Sequence, residues 1–331
     1  MKEKLVELLC CPNCRERLTL DAAEYEQEEV KEGSLICNGC AEIFDVKNYI
    51  PRFVPSDNYA KGFGFQWNKH ARTQVDKFNG TRISSDRFYD CTGWSKESLQ
   101  GKRILEAGCG AGRFTEVMLS AGLEVFSLDY SSAVDACLEN HGPHPNLHII
   151  QGDIYHIPFA EESFDRVFCF GVLQHTPDVK KSYMCLAKML KPGGKIAVDV
   201  YTKTVKAMLH YPRYVLRPLT RNLSPPTLYK IVENVVPVLL PISILLRKIP
   251  LLGRYLAPII PVANYSKTLP LDREMLTEWS IIDTFDWLAS WYDQPQTAAT
   301  LEQWLAESGM EQCQVRNMGS FVGTGIKAER A

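Results

Sequence analysis

The sequence predicts an α/β fold: a largely parallel sheet covered by helices on both faces and preceded by a small cysteine-rich domain. From Lys102 to Tyr201, apolar segments typical of strands alternate with segments typical of helices, an order that favours a parallel sheet. Five of the 11 cysteines lie within the first 40 residues. Apolar residues make up 45% of the chain and charged residues 23%, as in globular proteins.

The chain of 331 residues is long enough for about two domains. We expect a cysteine-rich domain at residues 1–55, a helical lid or linker at 56–100, and the α/β domain at 101–202 and 266–331. The apolar, proline-punctuated segment 203–265 interrupts the alternation and is predicted to be a helical insertion after the fifth strand. The last two predicted strands, EQCQVRN and SFVGTGIKA, are expected to form a closing hairpin.

The charge balance and the N-terminal sequence limit the possible partners and the expected location of the protein. Lysine and arginine (37) nearly balance aspartate and glutamate (39), so the chain lacks the basic excess of a dedicated nucleic-acid-binding protein. The N-terminus shows neither the apolar stretch nor the cleavage site of a signal peptide, which predicts a cytoplasmic protein. In a reducing compartment, clustered cysteines favour a metal site over disulfides.

Two C-x-x-C pairs dominate the N-terminal region: Cys11 with Cys14, and Cys37 with Cys40. Four thiolates complete a tetrahedral coordination shell and leave no open position, so the spacing predicts a structural zinc site. Two unrelated cysteine pairs, or a redox pair, are the alternatives.

The residues around these cysteines carry a family resemblance. The cysteine frame, Phe44-Asp45-Val46 and the Ile50-Pro51 exit resemble the zinc-ribbon family that activates tRNA and protein methyltransferases. The resemblance covers about the first 55 residues.

A glycine-rich turn follows the first predicted strand of the α/β domain. The strand contains Glu106, and the turn contains Gly108, Gly110 and Gly112. Glycines at such a turn let the backbone approach a ligand closely and adopt conformations that other residues avoid. The G-x-G-x-G spacing is one residue shorter than the dinucleotide-binding motif.

Two aspartates follow the next strands. Asp129 ends the second strand, where a carboxylate can accept hydrogen bonds from both hydroxyls of a ribose. Asp153, followed by Ile154, comes after the third strand and can accept from an exocyclic amine such as adenine N6. Together with Phe164–Val167 and Leu190–Gly194, these motifs resemble the class I S-adenosylmethionine-dependent methyltransferases.

That resemblance implies a Rossmann-like seven-stranded methyltransferase sheet and a role for each motif. It places the three glycines under the methionine and ribose of the cofactor, Glu106 near its amino group, Asp129 at the ribose, and Asp153 with the Ile154 amide at the adenine. Phe170 and Gln174 would border the methionine moiety and the substrate. A structural tie is the alternative for Glu106.

The resemblance also places a helix before the first strand over the cofactor. Gln66, Trp67 and either His70 or Arg72 would then belong to a lid. The aromatic residues of this segment are equally expected to be part of the core.

Three residues are candidates for acid–base chemistry. His175 lies beside the predicted methyl group, and imidazole titrates near neutral pH. Its alternative is a structural histidine that holds the following loop. Asp283 and Asp286 are three residues apart and share a helix face, so they can act as paired carboxylates or belong to a solvated face.

The predicted insertion is basic as well as apolar. Nine basic residues, including Lys206, Arg213, Arg217 and Arg221, and one acid lie between residues 203 and 254. This composition fits a membrane interface, a lid over an amphiphilic substrate, or a dimer contact, and the acidic segment 272–311 offers simple neutralisation instead. The longest uncharged run, residues 234–246, is 13 residues and contains two prolines, too short for a membrane span of about 18 residues.

The sequence therefore favours a methyltransferase that uses S-adenosylmethionine and zinc and acts on a small or carrier-linked acceptor. O-methylation of a sugar or a lipid-linked glycan is the first expectation, with peripheral membrane contact through residues 203–265. An RNA base methyltransferase and a non-catalytic zinc-ribbon adaptor are the alternatives. The oligomeric state stays open.

Overall fold

Eleven strands form one continuous sheet in a computed structural model that describes residues 1–55, 57–203 and 211–329. Residues 56, 204–210 and 330–331, and with them Lys206 of the predicted basic segment, lie outside the described residues. The strands are β1 (Leu18–Glu26), β2 (Glu29–Cys37), β3 (Ile43–Lys47), β4 (Ile50–Arg52), β5 (Arg103–Ala107), β6 (Glu124–Asp129), β7 (Leu147–Gln151), β8 (Phe164–Cys169), β9 (Leu190–Val200), β10 (Met310–Asn317) and β11 (Phe321–Lys327).

Strands β5 to β11 form the seven-stranded sheet that the sequence predicts. Their order is β7-β6-β5-β8-β9-β11-β10. The first five pair in parallel, and β11 pairs antiparallel with both β9 and β10. The last two strands thus form the predicted closing hairpin.

Four N-terminal strands extend this sheet to eleven, which the sequence analysis did not predict. Strands β1 to β4 form an antiparallel meander, and β4 pairs in parallel with β7 through Arg52 and Gln151. The Arg52 guanidinium donates to Gln151 Oε1 at 2.8 Å and pairs with Asp135 at 2.6 Å. The physical reason is that β7 is an edge strand of the α/β sheet, and its free backbone groups take up a neighbouring strand.

Helices surround the sheet and form the insertion. They are α1 (Lys61–Lys69), α2 (Asp76–Asn79), α3 (Ile83–Thr92), α4 (Lys96–Leu99), α5 (Arg113–Ser120), α6 (Ala133–His141), α7 (Val179–Lys188), α8 (Tyr211–Thr220), α9 (Pro225–Arg247), α10 (Gly253–Leu256), α11 (Arg273–Ala289) and α12 (Ala298–Glu307), with 3-10 turns at Glu3–Leu5, Leu173–His175 and Ala257–Ile259.

The core lies on both faces of the sheet. Neighbouring residues of β5 show this, since Ile104 packs with α5 and α6 while Leu105 packs with α7 and α12. Both side chains are fully buried. A parallel strand buried on two faces is apolar throughout, which explains the continuous apolar runs in the sequence.

Helix α9 is continuous and longer than the uncharged run of residues 234–246, so the expectation that this segment is too short to span a membrane is wrong on length alone. It runs for 23 residues through Pro237 and Pro241 and meets the length and composition criteria for a membrane span, although a third of its most apolar window is buried. Both prolines are exposed, so water can solvate the backbone carbonyls that lose their intrahelical partners.

The insertion arginines do not line the large cavity described below. Arg217 is buried and pairs with Asp293 at 2.5 Å, Arg213 lies over the rings of Tyr214 and Trp287, and Arg221 lies over Trp291. For Arg217, this is the neutralisation by the acidic segment that the sequence offers as an alternative.

Candidate active site and metal centre

Four cysteine sulfurs converge at the tip of the N-terminal strands. The Sγ atoms of Cys11, Cys14, Cys37 and Cys40 all lie within 4.8 Å of one another, and all four thiols are free. Cys11 and Cys40 are separated by 3.7 Å, and Cys14 and Cys37 by 3.3 Å. Tetrahedral zinc–thiolate bonds of about 2.3 Å place sulfurs about 3.8 Å apart, so this donor set fits zinc.

The backbone around the cluster favours thiolate. The N–H groups of Gly39 and Cys40 donate to the Cys37 sulfur at 3.4 Å. These bonds lower the pKa of the Cys37 thiol to about 6, and the bond from the Cys40 N–H has the largest effect. A metal ligand must be deprotonated, so these bonds favour the ligand form of Cys37, whereas the pKa values of Cys11 and Cys40 are raised in the metal-free cluster.

The glycine turn between β5 and α5 forms the floor of a cavity of about 1010 Å³. Gly108, Gly110 and Gly112 all have positive φ. A Cβ atom on Gly108 would lie 2.1 Å from Val172, and one on Gly112 would lie 2.5 Å from the His141 ring. Gly108 and Gly110 line the cavity, whereas Gly112 packs behind it.

Asp129 faces this cavity at the end of β6. Its Oδ2 accepts the Gly110 N–H at 2.9 Å, and its Oδ1 accepts the N–H and hydroxyl of Ser131 at 2.8 and 2.7 Å. Burial raises its pKa. These bonds fix the orientation of the carboxylate, which lines the cavity and can accept a further hydrogen bond.

Glu106 lies behind the glycine turn, outside the cavity lining. It is 1% exposed, and its Oε2 accepts from Thr115 at 2.5 Å and Ser127 at 2.8 Å. Burial raises its pKa to about 7. These contacts correspond to the structural tie that the sequence leaves open.

The two residues predicted at the adenine end separate in the structure. Gly152 and Ile154 line the cavity. Asp153 lies outside the lining, and its carboxylate accepts the Tyr155 N–H at 2.9 Å and lies 3.3 Å from the His156 ring.

Two of the four residues predicted for the lid line the cavity. Gln66 and Trp67 of α1 line the cavity, and the buried Gln66 Oε1 has no hydrogen-bond partner among the described residues. His70 lies elsewhere, between Glu278 at 2.7 Å and the Tyr229 hydroxyl at 2.8 Å, and Arg72 pairs with Glu139 on the surface.

His175 faces the cavity from the 3-10 turn after β8. Its Nδ1 lies 2.9 Å from the Tyr292 carbonyl oxygen, so Nδ1 carries the proton and Nε2 is the basic nitrogen. Nε2 is buried without a hydrogen-bond partner in the described part of the chain, and Asp286 Oδ2 lies 3.9 Å away. The imidazole is oriented as a proton acceptor.

Of the two residues predicted to border the methionine, one lines the cavity and the other lies behind the lining. Phe170 lines the cavity and stacks on Phe168 at 4.3 Å between ring centroids. Gln174 is fully buried behind it, and both polar atoms of its amide lack partners among the described residues.

Asp283 and Asp286 both line the cavity from α11. Burial, with a contribution from the Asp286 charge, raises the pKa of Asp283 to about 7. The Tyr265 hydroxyl donates to Asp283, and the Ser290 hydroxyl lies 3.0 Å from Asp286. The pair therefore offers one carboxyl, Asp283, whose pKa lies near neutrality, and a second, Asp286, whose Oδ2 lies 3.9 Å from His175 Nε2.

The sequence analysis missed several lining residues. Arg113 lines the cavity directly after Gly112, donates to Ser84 at 3.1 Å and to Gln74 at 2.8 Å, and lies over the Trp279 ring. Arg87 lines it and pairs with the buried Asp199 at 2.7 Å. The position of Arg113 next to the glycine motif could have identified it as a lining residue. Nothing in the sequence around Arg87 indicates that it lines the cavity.

Comparisons with known proteins match two separate regions of the chain. Residues 105–198 match the family model described as a methyltransferase domain, and residues 2–48 match that of Trm112p-like proteins. Ubiquinone biosynthesis O-methyltransferase of Coxiella burnetii is 30% identical over 115 residues, 34% of this chain and 49% of that protein. The Pasteurella multocida protein of the same name is 31% identical over 139 residues, 38% and 57% of the two chains. The chain thus spans about half the length of these relatives.

Solved structures with a similar arrangement are more distant in sequence. A complex of the Haloferax volcanii Trm112 methyltransferase activator has 13% identity and a TM-score of 0.44, covering 81% of this chain and 98% of that chain. Magnesium protoporphyrin IX methyltransferase of Synechocystis PCC 6803 has 14% identity and a TM-score of 0.42, covering 82% and 97%. Residues 105–198 thus match a methyltransferase domain within a sheet of the class I methyltransferase fold, and residues 2–48 match a Trm112p-like domain that carries the cysteine cluster.

Proposed function

We propose that this protein transfers a methyl group from S-adenosylmethionine to a hydroxyl oxygen of a small or carrier-linked acceptor in the cytoplasm. The observation that carries the proposal is the unpartnered Nε2 of His175, a residue that lines the cavity and whose ring is oriented by the bond between Nδ1 and the Tyr292 carbonyl. A neutral hydroxyl needs a base to become a nucleophile, and this nitrogen is available for its proton.

The cavity fits the cofactor on three features of the chain. Asp129 offers acceptor positions for ribose hydroxyls, the glycine turn allows close approach of backbone, and the unpartnered Gln66 Oε1 can accept from the amino group. When bound, S-adenosylmethionine supplies an electrophilic methyl group on its sulfonium. Its substituents would be held by Asp129, Gly108, Gly110 and Ile154, while the contacts of Glu106 favour a supporting role.

The acid–base steps follow from the side chains opposite the glycine turn. His175 Nε2 takes the acceptor proton, and the Asp286 carboxylate at 3.9 Å stabilises the resulting imidazolium. Burial raises the pKa of Asp283 to about 7, so near neutral pH this carboxyl carries less than a full negative charge on average, and the Tyr265 hydroxyl donates to it. Phe63 and Tyr201 flank the imidazole and exclude water.

Two chemistries compete for the identity of the acceptor. The sequence relatives are O-methyltransferases of ubiquinone biosynthesis, which supports an oxygen acceptor here. A sugar hydroxyl, free or on a lipid-linked glycan, is the acceptor that the sequence favours. Both present a hydroxyl to the same base.

We further propose that the four cysteines hold one zinc ion that stabilises the N-terminal domain. This domain contacts the loop that carries Ile154, because the Arg15 side chain donates to the Ile157 carbonyl at 2.8 Å and the Cys10 N–H donates to the Pro158 carbonyl at 3.0 Å. The metal would therefore support the adenine end of the cavity from behind.

Labelled methyl transfer into cell extract tests the function. Purified protein and S-adenosylmethionine with a tritiated methyl group are incubated with RNA, lipid and soluble fractions from a strain that lacks the gene. Label in the lipid or soluble fraction, absent with His175→Gln, supports the proposal. Label confined to RNA would instead identify an RNA methyltransferase, and cofactor binding without transfer to any fraction would favour a non-catalytic adaptor.

A further inference from the structure

Helix α9 carries an apolar stripe on its solvent side. Ile231, Val235, Val238, Ile242 and Leu245, continued by Ile249 just after the helix, follow one another at intervals of four and three residues. They are between 39% and 66% exposed. This spacing places all six on one face of the helix.

The stripe is not part of the protein core, because the helix already packs through another face. Leu228, Val232, Val236 and Leu240 are buried in a cluster with residues of α11. The core thus uses one apolar face of α9 and leaves the second one uncovered by the described residues.

Other exposed apolar residues gather in the same segment. Thirteen of the 18 large apolar side chains exposed in the described residues lie between residues 215 and 259. Besides the six residues of the stripe, they are Val215, Leu219, Leu223, Leu251, Leu252, Tyr255 and Ile259, and we call the stripe itself the docking face. A concentration of this kind marks an interaction surface rather than scattered surface apolarity.

Basic side chains accompany the docking face. Lys230, Lys248 and Arg254 are exposed, and none forms an ion pair with a described residue. Glu233 is the one acid between residues 211 and 267 of the sequence. Lys230 and Lys248 are 18 residues apart, five turns of a helix, so they share one side of the stripe. Apolar residues bordered by uncompensated lysines complement an anionic lipid surface.

The docking face lies close to the rim of the cavity. The Lys267 ammonium donates to the Arg247 carbonyl at 3.4 Å, at the end of α9. The next three residues, Thr268, Leu269 and Pro270, line the cavity. A surface bound to the docking face would therefore lie near three residues of the cavity lining.

We propose that the docking face binds the surface of an anionic bilayer, with α9 lying in the interface rather than across it, and that the acceptor enters the cavity from the membrane. A crossing orientation would expose to lipid the helix face that packs on α11. The entry of an amphiphilic acceptor rests on the proposed function, whereas membrane binding does not depend on activity.

Vesicle flotation of the full chain tests the proposal. Vesicles of phosphatidylcholine alone are compared with vesicles containing about one third phosphatidylglycerol, at low and high salt. The protein should float with the anionic vesicles, and less at high salt. The variant Val238→Ser/Ile242→Ser/Leu245→Ser should bind at least about tenfold more weakly, because each substitution removes apolar area that the interface buries.

Two controls separate the docking face from general effects. Ile43→Ser removes a comparably exposed apolar side chain in the N-terminal domain and should float like wild type. Cofactor affinity, measured by calorimetry without vesicles, should be unchanged in the triple variant, so a failure of the fold or of the cofactor site is seen separately.

The proposal is overturned if wild type ignores anionic vesicles, or if the triple variant binds them equally well. It is also overturned if sedimentation shows a dimer that the triple variant converts to monomer, since a second copy would then cover the docking face.

Discussion

His175 Nδ1 lies 2.9 Å from the main-chain oxygen of Tyr292, which joins the turn after β8 to the segment after α11. A carbonyl oxygen accepts but cannot donate, so this contact fixes the proton on Nδ1 and leaves Nε2 basic. The tautomer of His175 is therefore set by a backbone carbonyl, and a substitution of the Tyr292 side chain would leave this acceptor in place.

Replacing His175 should separate turnover from cofactor binding. We expect His175→Gln to lower the rate of methyl transfer about a hundredfold or more, the usual contribution of a positioned base, with unchanged affinity for S-adenosylhomocysteine. Single-turnover rates and calorimetry measure the two effects. Full activity in His175→Gln would identify the residue as structural.

Glu106→Gln should change how stability depends on pH. Burial raises the Glu106 pKa from 4.5 to about 7 in the folded state, so the fold binds this proton more tightly than the unfolded chain does. The stabilisation is complete below pH 4.5 and is lost as the pH rises through about 7. Glutamine cannot ionise, so the variant should keep up to about 3 kcal/mol that wild type loses across this window.

Urea unfolding at several pH values measures this difference. Glu302→Gln, an exposed glutamate on α12, is the control and should follow wild type. Parallel pH profiles for wild type and Glu106→Gln would show that Glu106 is already ionised in the fold.

Arg217 should be needed for the stability of the insertion. Arg217 and Asp293 are 9% and 1% exposed in their side chains and pair at 2.5 Å. Arg217→Met leaves a buried carboxylate without its cation, and we expect a loss of about 3 to 5 kcal/mol in the free energy of unfolding. Adding Asp293→Asn should recover part of this loss. Equal stability of wild type and Arg217→Met would mean that water reaches Asp293.

The cysteine cluster should contain one zinc ion per chain. Elemental analysis of protein expressed with ample metal measures it, and Cys11→Ser/Cys37→Ser should lose both the zinc and thermal stability, because metal binding contributes to folding. Cys313→Ser, an exposed cysteine outside the cluster, should retain both. Less than half an equivalent of zinc in wild type would contradict the assignment.

Short-range patterns predicted much of this molecule. The cysteine pairs and the glycine turn depend on spacings of a few residues, and the structure brings both together as clusters. The order of helices and strands could also be predicted, because the spacing of apolar residues differs between a helix and a strand.

Long-range contacts could not be predicted in the same way. The sheet joins Arg52 to Gln151 across 99 residues, and the His175 proton is set by a carbonyl 117 residues away. Every residue has a backbone carbonyl, so the residue type at position 292 does not indicate this contact. The length of α9 could not be read from its uncharged run of 13 residues, because Lys230, Glu233 and two exposed prolines lie inside the helix without ending it.

Calorimetric titration with S-adenosylmethionine tests the assigned cavity most directly. We predict saturable binding with one site per chain, and at least about tenfold weaker binding by Asp129→Ala, which removes charge-assisted bonds to the ribose. Glu139→Ala, on the surface of α6, should bind like wild type, and thermal unfolding checks that both variants are folded. Absence of binding by wild type, or equal affinity of wild type and folded Asp129→Ala, would contradict the assignment of this cavity as the cofactor site.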